Sequence, residues 1–257
     1  MPASTGVILD ARTLATAHRR LAEGLRPGLA VLDVGCGTGA ITRGIAEAVA
    51  PGGRTVGLDV DQVLIARARE SHRAVPGLLF AVADVYRLPA REAFDIVTAA
   101  RVLQWLADPA AALGAMAAAT KHGGRVVVLD YNQEKTAWRP EPPASMRRFY
   151  TAFLAWRAEA GMDNVIADHL PALLARCGLA QIVLTPQHET TRRGDADFAR
   201  RAGIWAEVAA TRGHQMVADG VITEAERAQA EAEYRAWVRD GCESHAHYLL
   251  AVEGVRP

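Results

Sequence analysis

The chain has 257 residues, half of them hydrophobic, with 29 Lys and Arg against 29 Asp and Glu. Such a balance excludes the basic field of a typical nucleic-acid binder and describes a globular chain able to bury a sizeable core, alone or with a cap. Its three cysteines, Cys36, Cys177 and Cys242, are widely spaced and include no CxxC pair, which excludes a disulfide framework and a zinc site. The first residues, MPASTGVILDARTL, have no charged segment ahead of an apolar core, and no apolar run is long enough to span a bilayer. The expected location is the cytoplasm, with no membrane or nucleic-acid partner; the short basic runs at 17–20 and 191–194 read as solvated faces.

In chain order, residues 11–24 read as a helix capped by Asp10, with Leu14, His18, Leu21 and Leu25 on one face. AVLDV (30–34) is a continuous apolar run of strand length, as in a strand covered on both faces. A helix over 40–50, a strand over 54–60 and a helix over 61–73 opened by Asp61 follow. Further strands fall at 78–84, 94–100 and 124–131, with an Ala-rich helix from Pro109 to Thr120 before the last of these. This alternation predicts a parallel sheet with helices on both faces. After Tyr131 the polar, Pro-rich NQEKTAWRPEPPAS reads as a loop. Ser145 then opens an aromatic helix ending at Gly161. A helix over 171–176 leads to a strand over 180–189. Residues 195–239 are helical, with Thr223 and Glu226 forming a capping box, and 246–254 is the last strand. The organisation is a single domain over 1–257, with cap elements at 1–24, 133–161 and 195–241.

The stretch VGCGTG after the first strand places glycines at 35, 37 and 39 before a helix. Such a turn lets a ligand approach the backbone and presents free N–H groups. It departs from the dinucleotide fingerprint GxGxxG, having Ala40 where the third glycine belongs. Asp59 ends the second strand, where an acid can accept the hydroxyls of an adenosine ribose. Asp33 discriminates between ligands. A carboxylate there opposes a pyrophosphate and suits an ammonium or sulfonium, unless it only caps the helix or pairs with an arginine. An NAD-dependent oxidoreductase is thus the poorer reading, and a non-catalytic cofactor-binding protein on the same fold stays open.

Five motifs in order carry a family resemblance: VLDVGCGTG (31–39), VGLDVD (56–61), ADVYRLP (83–89), FDIVTAARVLQWLADP (94–109) and GGRVVVLDYN (123–132). Over about residues 25–132 the chain resembles the class I S-adenosylmethionine-dependent methyltransferases, most closely the small-molecule group related to ubiquinone and menaquinone biosynthesis. The resemblance implies a Rossmann-like, three-layer α/β fold, with a seven-stranded, mostly parallel sheet, an antiparallel last strand and a helical cap. It implies S-adenosylmethionine as cofactor, S-adenosylhomocysteine as its product, a small-molecule acceptor methylated at O or N, and a monomer or homodimer. Asp33, Gly35 and Gly37 would surround the methionine moiety and Asp59 the ribose. Val60, Asp84 and the Val85 N–H would meet the adenine, and the Arg101 carbonyl the ammonium. His18 or Arg19 could reach the cofactor carboxylate.

Methyl transfer from a sulfonium chiefly needs the nucleophile held at near-attack distance, and a base only for a protonated acceptor. The candidates are His18, Tyr131 and His169, with His188 in the sixth strand. Trp105, Tyr131, Phe149 and Tyr150 are candidates for an aromatic acceptor wall, and each is equally at home in a core. The chain reads TAARVLQW after the fourth strand, unlike the Asn/Asp-Pro-Pro-aromatic sequence of amino-methylating nucleic-acid enzymes. It also has no acid there to join Asp130 and Asn132, so no metal is expected.

Overall fold

The computed structural model describes Asp10 and residues 12–88 and 90–257. Eight strands form one sheet in the order β3-β2-β1-β4-β5-β8-β6, with a short β7 beside β8. They are β1 (Ala30–Val34), β2 (Arg54–Asp59), β3 (Leu78–Val82), β4 (Phe94–Ala100), β5 (Thr120–Arg139), β6 (Ala180–Pro186), β7 (Glu189–Arg192) and β8 (Ser244–Val255). The first five pair in parallel, and β8 runs antiparallel to β5, β6 and β7. One strand more is present than expected because the predicted 180–189 strand breaks at Gln187. The Gln187 side chain turns away to accept the Arg20 N–H at 2.8 Å.

The helices are α1 (Leu14–Ala17), α2 (Arg19–Gly24), α3 (Ala40–Val49), α4 (Gln62–Ser71), α5 (Pro109–Ala119), α6 (Ala144–Glu159), α7 (Ile166–Arg176), α8 (Phe198–Ala202), α9 (Ile204–Ala218) and α10 (Glu224–Asp240). Asp61 caps α4 through the Val63 and Leu64 N–H groups. The Thr223/Glu226 box opens α10. The predicted first helix is two pieces broken at His18, whose φ of −150° and ψ of 57° interrupt the turn. Thr13, not Asp10, caps it, while Asp10 pairs with Arg67; Ala11, and the opening segment before Asp10, lie outside the described residues. Helix α7 starts five residues before Pro171 because Ile166, Ala167, Leu170 and Leu174 form a fully buried face. Such burial outweighs the lost proline N–H.

The largest correction concerns 132–139. In place of a polar loop, β5 continues to Arg139 and pairs with β8 out to Ser244, across an irregularity between Asn132 and Ala137. Backbone pairing there overrides the side-chain polarity. The ribbon runs past the sheet into a second apolar core. Phe149 and Phe153 of α6, Trp205 of α9 and Tyr234 of α10 are buried in it. Trp138 donates its indole N–H to the Tyr234 hydroxyl at 3.0 Å, which in turn bonds the Ala202 carbonyl at 2.8 Å. Among the described residues, no helix is long and apolar enough to cross a membrane.

Arg157 of α6 joins the two cores. It is fully buried, its Nε donates to Asn164 at 2.8 Å and its Nη2 to the Gln104 carbonyl at 2.6 Å. Burial lowers its pKa to about 10, so it stays charged at neutral pH. Arg157→Met is expected to destabilise the protein by at least about 1–3 kcal/mol, the cost of leaving one buried acceptor unpaired. Urea titration followed by tryptophan fluorescence checks this.

Candidate functional site

In an open sheet the ligand crevice lies at the carboxyl ends of the strands, where the strand order reverses. Here that point falls between β1 and β4, where Asp33 and the glycine turn face Arg101 and Val102. Gly35, Gly37 and Gly39 have φ values of 70°, 56° and 79°, a region side chains rarely adopt. Gly35 also has no room for a side chain, since a Cβ would lie 2.4 Å from Val102 Cγ2. The turn is anchored by the Gly35 and Cys36 N–H groups, both bonded to the Leu58 carbonyl.

Asp59 holds the turn from the second strand. One carboxylate oxygen accepts the Gly37 N–H at 2.8 Å and the other the Asp61 N–H at 3.0 Å. Asp33 is buried, and its one hydrogen bond among the described residues is from the Thr42 hydroxyl at 2.7 Å. Burial pushes its pKa up to about 7; the Thr42 bond opposes this and the Asp59 charge adds to it. The alternative that Asp33 merely pairs with an arginine has no support among the described residues. Thr38, in the turn, has a buried hydroxyl with no hydrogen-bond partner among the described residues. Val60 is 74% exposed at the mouth of the crevice. Asp84 is exposed and accepts the Tyr86 N–H at 2.9 Å, with Val85 opening the turn beyond it. The crevice therefore offers negative charge, a close backbone approach and an apolar rim.

Arg101 adopts φ 63° at the end of β4. Its carbonyl accepts the Gln104 side-chain N–H at 3.4 Å, while its guanidinium reaches a separate cavity beyond β5. There Nε donates to the Tyr131 hydroxyl at 2.8 Å, Nη1 to the Ala17 carbonyl at 3.1 Å and Nη2 to Glu189 at 2.5 Å. The cavity measures about 530 Å³ and lies between α1, β7, β8 and α8. Tyr131, His188, Glu189, His245 and His247 line it, together with Arg12, Arg19, Arg200 and Arg201. Burial, followed by the charges of Arg101, Arg12 and Arg201, pushes His247 down to about 3. His245 is held well below the usual imidazole range, first by burial. His245 Nε2 and His247 Nδ1 are buried without a hydrogen-bond partner among the described residues.

The other predicted residues lie elsewhere. His18 is buried inside the sheet layer, its Nε2 donating to Thr98 at 3.0 Å, because the Thr98 proton goes to the Val127 carbonyl. Burial pushes it down to about 3. His169 is exposed and bonded to Asp163 at 2.6 Å. Trp105 does not face the cavity; the guanidinium groups of Arg157 and Arg212 lie 4.6 and 4.7 Å from its ring. Phe149 is buried in the cap core, and Tyr150 packs on Trp138 and Trp205 and bonds the Gln133 carbonyl. Of the four proposed wall residues, Tyr131 alone lines the cavity. The sequence reading missed Glu189, His245 and His247. The signal was present in SHAHY, where two histidines spaced by two on a strand share a face.

Fold and site together define an α/β protein with a crevice suited to an adenosine bearing a cationic tail. The comparisons agree. A model of the methyltransferase domain matches residues 25–166, over half the chain, and the chain belongs to that family. It is 38% identical over 162 residues to an uncharacterized 37.1 kDa protein in transposon Tn4556 of Streptomyces fradiae, spanning 63% of this chain and 46% of that one. It is 36% identical over 121 residues to the ubiquinone/menaquinone biosynthesis C-methyltransferase UbiE of Burkholderia vietnamiensis, spanning 45% of this chain and 47% of UbiE. The chain thus spans about half the length of these curated relatives. Among solved structures, Haemonchus contortus phosphoethanolamine N-methyltransferase 2 is similar at TM-score 0.59 and 16% identity, over 95% of this chain and 52% of that one. The [4+2]-cyclase SpnF is similar at TM-score 0.56 and 21% identity, over 96% and 85%. These likenesses establish the fold.

The raised pKa of Asp33 has a thermodynamic sign. Between about pH 4 and 7 the folded carboxyl keeps a proton that the unfolded one has lost, so this group lowers stability as pH rises. The lowered His18 and His247 act oppositely below their ordinary pKa. Asp33→Asn, which keeps the Thr42 bond, is therefore expected to gain stability relative to the parent protein between pH 5 and 8. Paired urea titrations at the two pH values check the difference.

Proposed function

We propose that this protein is an S-adenosylmethionine-dependent methyltransferase acting on a small molecule held in the cavity beside Tyr131. The observation that carries the reading is Asp33, a buried carboxylate behind a glycine turn with a single hydroxyl as partner among the described residues. Such a group needs a cation and repels a pyrophosphate. S-adenosylmethionine brings an ammonium and a sulfonium, and when bound it supplies an electrophilic methyl group. Asp33, Gly35 and Gly37 surround its methionine portion, with the Arg101 carbonyl on the ammonium. Asp59 takes the ribose, and Val60, Asp84 and Val85 take the adenine.

The finer reading is methyl transfer to an oxygen or nitrogen of the acceptor. The chain's part is to hold that atom against the methyl, exclude water and receive a proton where the acceptor carries one. Tyr131 stands at the wall between crevice and cavity, fixed by Arg101. His245 and His247 remain neutral at physiological pH and offer unprotonated nitrogens there. His18 and His169 lack that position.

Calorimetry with S-adenosylhomocysteine and NADH tests the cofactor. Saturable binding of the first alone is expected, and the reverse would overturn the reading. Asp59→Ala is expected to weaken S-adenosylhomocysteine binding about 10–100-fold, through about 1–3 kcal/mol of lost charge-assisted bonds. Methyl-labelled cofactor incubated with candidate hydroxyl and amine acceptors then separates a methyltransferase from a protein that only binds the cofactor.

A further inference from the structure

The cavity beside Tyr131 carries more positive charge than its own acids neutralise. Glu189 is committed to the Arg101 guanidinium at 2.5 Å. Asp197 is committed to Arg200 at 2.6 Å, which leaves Arg201 with a contact of only 3.9 Å to the same carboxylate. Arg12 lies beside Tyr131 and Glu189 and makes no hydrogen bond or ion pair to any described residue. Burial, reinforced by Arg101, lowers its pKa. The fields of Arg101, Arg12 and Arg201 converge on His247, which they help to keep unprotonated. Arg12 is half-buried, so water meets only part of its guanidinium, and five donors in a planar fork match a carboxylate or phosphate.

We propose that the molecule this cavity takes is an organic anion, a carboxylate or phosphate ester, whose charged group pairs with the guanidinium groups of Arg12 and Arg201. The inference rests on the methyltransferase reading only in making this anion the methyl acceptor. Half-buried guanidinium groups on one wall and neutral imidazoles on the other fix the orientation. The anionic group points to α1 and α8, and the remainder of the molecule lies along His245, His247 and Tyr131 toward the crevice. Neutral molecules of the same shape leave Arg12 unpaired and are rejected, because an unmet polar group inside a site costs more than a met one gains.

Thermal unfolding at matched ionic strength tests this with benzoate, phenyl phosphate and the neutral benzamide. At least one anion is expected to raise the midpoint, by about 3–6 °C at ten times its dissociation constant, while benzamide and added chloride do not. Arg12→Met and Arg201→Met are each expected to weaken that anion at least tenfold and to keep the affinity for S-adenosylhomocysteine. Arg201→Met, on a partly exposed helix, serves if the Arg12 variant does not fold. No shift with either anion, an equal shift with benzamide, or a shift unchanged in the variants overturns the proposal. So does an Arg12→Met protein that loses S-adenosylhomocysteine instead, which would give this guanidinium to the cofactor. If the parent protein shows the anion shift but binds no S-adenosylhomocysteine, the methyltransferase reading falls and the anion site stands.

Discussion

The antiparallel pairing of β5 with β8 is the interaction on which the rest of the molecule depends. It runs from Arg125 opposite Val255 to Arg139 opposite Ser244. Strand β4 accompanies it only to Ala100, opposite Leu129. Beyond that point the ribbon leaves the parallel sheet, and its backbone groups are met chiefly by each other and, on one edge, by β7. Everything outside the nucleotide-type fold hangs on this projection. Trp138 carries the cap core, while Tyr131, His245 and His247 form the wall of the cavity. A strand that stopped at Tyr131 would take Trp138 out of the cap core and leave the cavity without a floor.

Gln104, just past β4, shows how the cap is held in register. Its N–H donates to Asp130 at 3.1 Å, its side-chain oxygen accepts from Gln133 at 2.8 Å, and its carbonyl accepts Arg157. Asp130 is buried, and burial pushes it up to about 6. One residue thus links the strand end beside the crevice, the projecting ribbon and the cap. Arg157 and Arg212 on the Trp105 ring complete the joint. An apolar joint of the same area would tolerate sliding. A buried cation with directional acceptors permits one arrangement, because every other leaves it unpaired.

Much of this was legible from the residues, for identifiable reasons. The α/β alternation and the glycine turn were readable because strand burial and helix caps are local: AVLDV, Asp61 and the Thr223/Glu226 box each specify their own conformation. The continuation of β5 was not, since NQEKTAW has neither strand polarity nor strand composition and is extended only because β8 lies beside it. The start of α7 was hidden by Pro171, which local rules place at a first turn. The crevice residues were readable because a carboxylate after an apolar run has few explanations. Of the cavity residues, Arg19, Tyr131 and His188 stood out, but Glu189, His245 and His247 did not, as the lining comes from five separated segments. Trp105 illustrates the same limit: an aromatic after β4 is compatible with a ligand wall or a packed joint, and only the approach of Arg157 and Arg212 distinguishes them.

The two halves of the proposed site have opposite charge, and Arg101 stands between them. On the crevice side, Asp33 and Asp59 favour a cation. On the cavity side, Arg12, Arg101 and Arg201 favour an anion, while burial first, and these charges after it at His247, keep the histidines neutral. Arg101 adopts a left-handed backbone, with its carbonyl bonded to the Gln104 side chain and its guanidinium to Tyr131, Ala17 and Glu189. Strain of this kind costs on the order of 1–3 kcal/mol and persists where the surroundings over-determine it; here Tyr131, Ala17 and Glu189 do so. Methyl transfer from a sulfonium to a nucleophile neutralises charge along its path, so a donor and an acceptor of opposite sign attract before they react. In the proposed site the charges of crevice and cavity stay apart, with the anionic end held at α1 and α8, and the bonds of Arg101 to Tyr131, Ala17 and Glu189 fix the side chain that stands between them.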